Sequence, residues 1–258
     1  MEIRSDILIA GGGPAGLAAA IALRRERFSV TLVDPGFPPM DRPCGEGLLP
    51  DGVEILQHLG VKLPSEKVRF FSGIRYIDKG TIATGRFPQG QGAGIRRTLL
   101  HQLMTAKAAG TGARLLWGEK VCRITAEGAE LSHGSVRARW IVAADGKNSS
   151  IRHQLGLDGR VRNRRIGIRR HYRIEPWSHM VEVFWGLRAE AYVTPVGDRE
   201  ICVAILTSEP KPRFHQVLGR FPALMSRLRG AEISSTDRGA DITFRHARGV
   251  VKDRVALL

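Results

Sequence analysis

A glycine-rich turn near the N-terminus constrains the fold of this chain more than any other sequence feature. The turn has the spacing Gly11-x-Gly13-x-x-Gly16 and follows a short apolar run, residues 6–10, which is typical of a buried strand. Residues 17–27 are rich in Ala, Leu and Arg and predict a helix, and residues 29–34 predict a second strand. Strand, glycine turn, helix and strand in so short a stretch predict a parallel βαβ unit.

Each glycine of this turn has its own expected role. Gly11 allows the tight turn, Gly13 lets the backbone approach a pyrophosphate, and Gly16 permits close packing of the helix on the strand. The N-terminus of the helix then directs its positive end at the phosphates. Asp34 ends the second strand 18 residues after Gly16, where a carboxylate can accept hydrogen bonds from ribose hydroxyls. The pattern predicts a dinucleotide site but does not by itself distinguish NAD from FAD.

Two later segments point to the same cleft. Residues 141–152 predict a buried strand, a turn at Asp145 and Gly146, and the start of a helix. An arginine pair ending at Arg97 opens another predicted helix, residues 98–109. Since ligands of open α/β sheets bind at the carboxyl ends of the strands, Asp145 and Arg97 are candidate ligand contacts.

The remaining pattern predicts short elements, first mixed and then antiparallel. The expected elements are a helix at 53–59, a hairpin with arms at 68–71 and 81–84, strands at 113–117, 120–125, 128–131, 135–137 and 140–144, antiparallel strands near 166–173, 180–185, 190–194 and 200–206, a broken helix at 211–229, and a final strand at 250–258.

Composition narrows the class of protein. Apolar residues at 43% and charged residues at 25% are globular values. No apolar run approaches the length of a membrane helix, and the first residues lack the apolar region of a signal peptide. Three scattered cysteines, Cys44, Cys122 and Cys202, are too few for a disulfide framework or a zinc site. We therefore expect a cytoplasmic chain with no transmembrane segment and no metal.

The net charge of +15 is not by itself a sign of nucleic-acid binding. Most of the basic residues are arginine, a bias that genomic base composition can produce, and no aromatic-basic interleaving, helix-turn-helix or zinc-finger spacing is present. We expect no nucleic-acid partner. The basic face leaves a carrier-protein-bound or CoA-bound substrate as a further hypothesis.

Three segments in this order carry a family resemblance: GGGPAGL at residues 11–17, RRTLLH at 96–101 and ADGKNSSIR at 144–152. Together they resemble the FAD-dependent oxidoreductases of the para-hydroxybenzoate hydroxylase and geranylgeranyl reductase superfamily. Segment RPCGEGL, residues 42–48, is most similar to the Cys-Gly loop of the reductase branch.

The resemblance implies an α/β fold class, a three-layer Rossmann-like domain for FAD and NAD(P) with an inserted antiparallel-sheet substrate domain. The FAD-binding domain would comprise residues 1–67, 95–157 and 245–258, and the substrate domain residues 68–94 and 158–244. The family's third FAD segment, a Gly-Asp pair, directly follows a strand that resembles residues 254–258. We therefore expect an FAD-binding domain truncated at its C-terminus.

The resemblance also implies cofactor-binding roles residue by residue. The expected FAD contacts are Gly11, Gly13, Pro14, Ala15 and Gly16 at the pyrophosphate, Asp34 at the ribose, Val121 at the adenine through its backbone, Arg42, Cys44 and Gly45 in the loop beside the flavin ring, Arg97, and Asp145 with Gly146. The implied electron donor is NAD(P)H.

The implied activity is that of an NAD(P)H-using flavin monooxygenase acting on a small organic substrate. A flavin-dependent double-bond reductase is an alternative, favoured by the Cys-Gly loop, and a truncated, non-catalytic dinucleotide-binding module is another. Residues 192–195 lack the Trp and Phe of the reductases' Tyr-x-Trp-x-Phe-Pro segment, which argues against a long isoprenoid substrate.

Two side chains in the Cys-Gly loop are weak catalytic candidates. Cys44 is a reactive thiol near the flavin in one interpretation and a small buried hydrophobic side chain, the more common state, in the other. Glu46 is either a proton donor in the cleft or an exposed loop carboxylate, and exposure is the usual state of glutamate.

Other polar and aromatic residues carry weaker expectations. His101 is expected to pack along its own helix or to face solvent. The spacing of His171 and His179 indicates no metal site. Trp177, Trp185 and Tyr192 predict an aromatic wall on one face of the antiparallel sheet, which would suit an organic substrate.

Overall fold

The computed structural model describes residues 2–161 and 164–258, so residues 1, 162 and 163 of the expected domain ranges lie outside it. Its helices are α1 (Pro14–Arg25), α2 (Pro50–His58), α3 (Arg97–Gly110), α4 (Ser150–Gln154), α5 (Phe214–Leu218) and α6 (Pro222–Arg227). Its strands are β1 (Glu2–Ala10), β2 (Val30–Asp34), β3 (Gly47–Leu48), β4 (Arg69–Phe71), β5 (Gly73–Asp78), β6 (Thr81–Arg86), β7 (Gly92–Gly94), β8 (Arg114–Trp117), β9 (Val121–Thr125), β10 (Gly128–Leu131), β11 (Gly134–Ala143), β12 (Asp158–Val161), β13 (Ile166–Arg173), β14 (Val181–Gly186), β15 (Ala189–Gly197), β16 (Glu200–Thr207), β17 (Glu232–Ile233), β18 (Arg238–Asp241), β19 (Arg245–Ala247), β20 (Val251–Lys252) and β21 (Val255–Leu257).

A parallel sheet with the order β21-β11-β1-β2-β8 forms the first half of the fold. Alternate residues of β1 enter two different cores because successive side chains of a strand point to opposite faces. Ile7 and Ile9 pack with α1 and α3, whereas Leu8 packs with β9, β10 and Ile151 of α4. The apolar run of β1 is thus buried on both sides, which is the three-layer arrangement expected from the sequence.

The second large sheet is mainly antiparallel, with the order β17-β13-β16-β15-β14-β5-β6. One face of it packs against α5 and α6 through a core that includes Phe214, Phe221 and Leu224. The opposite face is turned towards the loops of the first half, and Gly94 of β7 lies directly against Pro195 of β15. The expected fold class, a Rossmann-like domain with an inserted antiparallel sheet, is confirmed.

The two chain crossings between the sheets run side by side, because β12 pairs with β19 in an antiparallel ribbon. This ribbon spans the expected boundaries at residues 158 and 245. Of the helices within the described parts of the chain, none is both long enough and apolar enough to cross a membrane.

Three predictions of local structure were wrong. The hairpin has β5 and β6 as its arms, because Lys79 and Gly80 both take positive φ at the turn, while residues 69–71 pair with β7 instead. Residues 135–137 and 140–143 belong to one strand, β11, whose polar residues alternate with buried ones and do not interrupt it. The final run is two short strands, since Asp253 has a φ of 53° and turns the chain between them.

The contact at Gly94 generates a stability prediction. A Cβ atom there would lie 1.6 Å from the carbonyl oxygen of Pro195, so Gly94→Ala must push β7 and β15 apart. We expect the free energy of unfolding to fall by about 1–3 kcal/mol, measured by urea denaturation. The control is Gly85→Ala in β6, where the nearest atom to the new methyl is 4.0 Å away and a change within about 0.5 kcal/mol is expected. Equal effects of the two substitutions would contradict the close approach.

Candidate functional site

The carboxyl edge of the parallel sheet brings together the glycine turn and the Asp145 segment. Gly11 has a φ of 110°, and its N–H donates to the carbonyl oxygen of Val33 at 2.8 Å. A Cβ atom at Gly11 would lie 2.2 Å from the carbonyl oxygen of Ala144, so only glycine permits this approach. The first turn after β1 and the turn after β11 therefore line one cleft.

The N-terminus of α1 faces open space within this cleft. Gly13 is the N-cap residue, no side chain caps the helix, and the first turn contains no acidic residue. Apart from its own chain neighbours, no described residue comes within 4 Å of the position that a Cβ on Gly13 would take. Uncapped N–H groups of Ala15 and Gly16 and the positive end of the helix suit a bound anion such as a pyrophosphate.

Asp34 holds the glycine turn in place. Its Oδ2 accepts a hydrogen bond from the N–H of Gly12 at 2.7 Å, and its Oδ1 accepts one from the N–H of Gly36 at 2.7 Å. Each carboxylate oxygen retains a second acceptor site, so these contacts leave room for a ligand hydroxyl. The segment that contains Val121 is held near Asp34, because the N–H of Glu119, two residues earlier, donates to the carbonyl oxygen of Asp34.

His101 is fully buried, and its predicted packing along its own helix or exposure to solvent was wrong. Its Nε2 lies 2.9 Å from the carbonyl oxygen of Gly12, and its Nδ1 lies 3.4 Å from the N–H of Met40. Because Nε2 must donate to the carbonyl and Nδ1 must accept, the ring is neutral. Burial lowers its pKa, and the neighbouring Arg97 lowers the pKa further, against an opposing contribution from the Gly12 carbonyl.

Asp145 lies at the opposite side of the cleft from Asp34. Its Oδ2 accepts the N–H of Ser150 at 2.9 Å and so helps to cap α4, whose N-cap is Ser149. Its Oδ1 is buried without a partner. Gly146, next along the chain, has open space on its Cβ side.

The loop before β3 contains the largest departure from the sequence expectations. The side chain of Glu46 is only 1% exposed, so the prediction of an exposed loop carboxylate was wrong. Cys44 is exposed, so its interpretation as a buried hydrophobic side chain was also wrong. Arg42 is exposed, and Gly45 is partly buried with open space beside it.

The Glu46 carboxylate contacts groups from separate elements. Its Oε1 accepts the N–H of Arg97, the first residue of α3, at 2.9 Å. Its Oε2 lies 2.6 Å from Nε2 of His171 on β13. The guanidinium groups of Arg96 and Arg169 approach the carboxylate to 3.7 and 4.0 Å. These cationic and N–H neighbours provide the partners that a buried carboxylate requires.

Arg169 connects this carboxylate to a second acid. Its guanidinium donates to Asp41 and, at 3.2 Å, to Nδ1 of His171. Although partial burial acts to raise the pKa of Asp41, the hydrogen bond and the charge of Arg169 lower it overall. Arg169 is itself 1% exposed, so the Asp41 loop and β13 share a buried ionic network.

Three buried side-chain polar atoms in the described residues lack a hydrogen-bond partner: Nε of Arg97, Oδ1 of Asp145 and Nε of Arg169. An unpartnered buried polar atom costs about 1–3 kcal/mol and indicates a missing ligand or water. Arg97 and Asp145 are residues that the sequence predicted as ligand contacts. Together with the open face of Gly13, they fit a large polar ligand such as a dinucleotide.

Cys202 on β16 lies on the same side of the sheet as His171 and is fully buried. One ligand atom each from Glu46, His171 and Cys202 lies within 4.8 Å of the others. Burial raises the pKa of the Cys202 thiol well above its ordinary value, and the charge of Glu46 raises it further. The thiol is therefore protonated at neutral pH.

The predicted aromatic wall is only partly present. Trp185 and Tyr192 lie on one face, since Tyr192 pairs with Val183, two residues before Trp185 on β14. Trp177 packs against the core of the opposite face and donates to Glu182 at 2.9 Å, so its predicted place beside them was wrong. A cavity of about 360 Å³ is lined by Trp185, Tyr76 and the β5–β6 hairpin.

Arg169, His171 and Cys202 also belong to the site, although the sequence did not predict them there, and Arg96 was expected only as the first member of the arginine pair. A signal was available for two of them. Arg169 and His171 are alternate residues of a predicted strand and so share one face, where two adjacent buried polar side chains require partners. Nothing in the sequence indicated that Glu46 provides the partner.

Comparison with known proteins relates this arrangement to one family. The profile of a family described as an FAD binding domain matches residues 4–189, well over half of the chain. The menaquinone reductase of Mycolicibacterium smegmatis is 30% identical over 167 residues, which cover 60% of this chain and 41% of that protein. The rifampicin monooxygenase of Rhodococcus hoagii is 29% identical over 162 residues, 57% of this chain and 33% of that protein.

The chain therefore spans less than half the length of these curated relatives. A solved structure of a geranylgeranyl bacteriochlorophyll reductase-like protein from Thermoplasma acidophilum superposes with a TM-score of 0.84 and 20% identity, over 100% of this chain and 71% of that one. At this identity the likeness concerns the fold alone. The family and fold comparisons confirm the resemblance expected from the sequence.

The buried, neutral His101 generates a prediction of pH-dependent stability. Its pKa in the folded state is lowered, so on acidification the unfolded chain binds a proton before the folded chain does. Stability is then lost as the pH falls below the unfolded pKa of about 6.5. In urea denaturation, the free energy of unfolding of His101→Gln should fall less between about pH 7.5 and about pH 5.5 than that of the wild type. The exposed His215→Gln is the control, and a variant slope equal to the wild-type slope would contradict the neutral state of His101.

Proposed function

The chain belongs to the FAD binding domain family, and on that premise we propose that it is an FAD-dependent oxidoreductase that takes electrons from NAD(P)H. The observation that carries the proposal is the cleft at the carboxyl edge of the parallel sheet. There, an uncapped helix N-terminus and two unpartnered buried polar atoms belong to residues of the three motifs. Ligands of such sheets bind at this edge.

The proposed contacts are divided among the parts of FAD. The backbone of Gly11, Gly13, Pro14, Ala15 and Gly16 would hold the pyrophosphate, and the second acceptor sites of Asp34 would take the ribose hydroxyls. The remaining contacts are proposed at Val121 for the adenine, and at Arg42, Cys44, Gly45, Arg97, Asp145 and Gly146 towards the flavin end. In the same proposal, residues 1–67, 95–157 and 245–258 form the FAD-binding domain, and residues 68–94 and 158–244 form the substrate domain.

When bound, FAD supplies the two-electron redox chemistry, and the protein supplies binding, orientation and electrostatics. Arg97 would direct its free Nε at the cofactor while its N–H is held by Glu46, so its position does not depend on the ligand. The antiparallel sheet would cover the flavin end and exclude water from it. Its face there carries Tyr192, whose hydroxyl donates to Glu190 at 2.5 Å, and burial together with this contact raises the Tyr192 pKa. Tyr192 would therefore meet the substrate as a neutral phenol.

Our first candidate activity is hydroxylation of a small organic substrate with oxygen, supported by the rifampicin monooxygenase relative. The second candidate is direct reduction of a substrate double bond or quinone. It is supported by the menaquinone reductase relative and by the Cys44–Gly45 loop. In either case the net charge of +15 favours an anionic form of the substrate, such as a carrier-bound one, whose affinity should fall steeply with added salt.

Binding of FAD can be tested on the chain itself. The purified chain should turn yellow with FAD and retain it through gel filtration, and Gly13→Val should raise the Kd about tenfold or more, or ~1.4 kcal/mol. Valine fits the Gly13 backbone, with φ −70°, and projects into the open space. The control is Gly110→Val at the end of α3, which also has open space. A colourless wild type would favour the non-catalytic module.

Oxygen dependence separates the two activities. The FAD-loaded chain is given NADPH or NADH with a water-soluble naphthoquinone, in air and under argon. A reductase should oxidise the nicotinamide under argon in proportion to the quinone reduced. A monooxygenase should consume the nicotinamide only in air, with oxygen uptake that rises on addition of an aromatic substrate. Quinone-dependent turnover confined to argon would contradict the monooxygenase.

A further inference from the structure

A line of hydrogen bonds runs from the protein surface to the buried Glu46. Oγ of Ser235, a half-buried residue between β17 and β18, lies 2.8 Å from Nδ1 of His171. Nε2 of the same ring lies 2.6 Å from Oε2 of Glu46. His171 has no exposed surface, and the side chain of Glu46 has 1%. These three side chains therefore connect the half-buried hydroxyl to the Cys44–Gly45 loop.

The neighbouring donors determine the direction of each hydrogen bond. The backbone N–H of His171 donates to Ser235 Oγ at 3.1 Å, so the hydroxyl hydrogen is free to point at Nδ1. Arg169 also donates to Nδ1 at 3.2 Å, and a guanidinium has no acceptor. Nδ1 is thus an acceptor, and the single ring hydrogen resides on Nε2, where it donates to Glu46.

This arrangement is suited to proton transfer, because every member donates to the next. We propose that Ser235, His171 and Glu46 form a proton relay that supplies and removes a proton at the cleft end of the Cys44–Gly45 loop. The assignment of that end to flavin and substrate rests on the proposed function. Both candidate activities require proton transfer where the flavin and the substrate would meet. Reduction of a quinone or double bond adds protons to the substrate, and hydroxylation moves protons between substrate, oxygen and solvent.

The relay is balanced in protons and requires no oxidant. A hydronium ion at the surface protonates Ser235 Oγ and becomes water as the hydroxyl hydrogen of Ser235 passes to Nδ1, and His171 passes its Nε2 hydrogen to Oε2 of Glu46. The uncharged carboxyl of Glu46 then holds the proton beside the loop, and the reverse sequence returns it to water. Arg169 opposes a hydrogen on Nδ1, so at rest the ring hydrogen of His171 lies on Nε2 and donates to Glu46.

The charged and titratable groups that face the pair come from all the elements packed against it. They are Arg169 on β13, Arg96 and Arg97 at the start of α3, Cys202 on β16, Cys44 in the loop, and Asp41 and Glu200 through their arginine partners. The three arginines surround the carboxylate with positive charge. They also argue against a cation between Glu46, His171 and Cys202, which would lie close to two guanidinium groups.

The test is nitrogen-15 NMR of the histidine side chains in the full chain without FAD. The expected wild-type spectrum shows His171 as the Nε2–H tautomer, with a bound hydrogen that exchanges with water although the ring is buried. Ser235→Ala should leave the tautomer unchanged and slow that exchange about tenfold or more, whereas Ser235→Thr should restore it. His215→Gln on the exposed side of α5 is the assignment and stability control.

The Glu46→Gln variant tests the other end of the relay. Its amide can still accept the Arg97 N–H, but it cannot take the relayed proton. In the FAD-loaded chain, Glu46→Gln and Ser235→Ala should each lower the turnover number and alter its pH profile, and Ser235→Ala should do so with little change in KM or in FAD affinity.

Four results would overturn the relay: exchange unaffected by Ser235→Ala, an Nδ1–H tautomer in the wild type, a His171 signal that shifts on addition of EDTA, or a Ser235→Ala turnover equal to that of wild type. The NMR results do not depend on the cofactor. A chain that binds no FAD but shows the expected tautomer and exchange would refute the proposed function and retain the relay's proton path. An active flavoprotein whose His171 hydrogen exchange is unaffected by Ser235→Ala would refute the relay and leave the proposed function standing.

Discussion

The burial of the Glu46 carboxylate is the constraint on which the site depends. A charge that is almost completely removed from water must be paired, and removal of one partner of such a group costs about 3–5 kcal/mol. The partners of Glu46 come from the start of α3, which packs on the parallel sheet, and from β13 of the antiparallel sheet. The loop that carries Cys44 can take its place only when both halves of the protein are assembled around this carboxylate.

A second carboxylate, Asp34, has a comparable role at the other end of the cleft. It receives N–H groups from Gly12 and Gly36, so the glycine turn is fixed before any ligand arrives. His101 holds the other side of the same turn through the carbonyl oxygen of Gly12. Because Arg97 lies one turn before His101 on α3, this helix connects the pyrophosphate end of the cleft to the Glu46 end. The binding surface is therefore preorganised.

The elements that the sequence predicted correctly have local causes. The βαβ unit, the helix that begins at Arg97 and the four antiparallel strands follow from apolar periodicity and glycine positions, which act within a few residues. The arms of the hairpin and the single long strand β11 were missed because strand pairing, rather than local pattern, decides them. Residues 69–71 pair with β7 and not with the strand that follows them.

The features of the site divide in the same way into those with local causes and those decided by contacts between distant parts of the chain. The sequence alone determined the βαβ unit, the dinucleotide-binding turn with its acid, and the two further motifs that identify the family, because backbone geometry at glycines and strand ends is local. Only the tertiary structure decided that Glu46 and His101 are buried, that Cys44 is exposed, and that Arg169 and His171 meet Glu46. The burial of these polar side chains depends on partners far away along the chain, 125 residues between Glu46 and His171 and 89 between His101 and Gly12, and no local pattern specifies which partner reaches them.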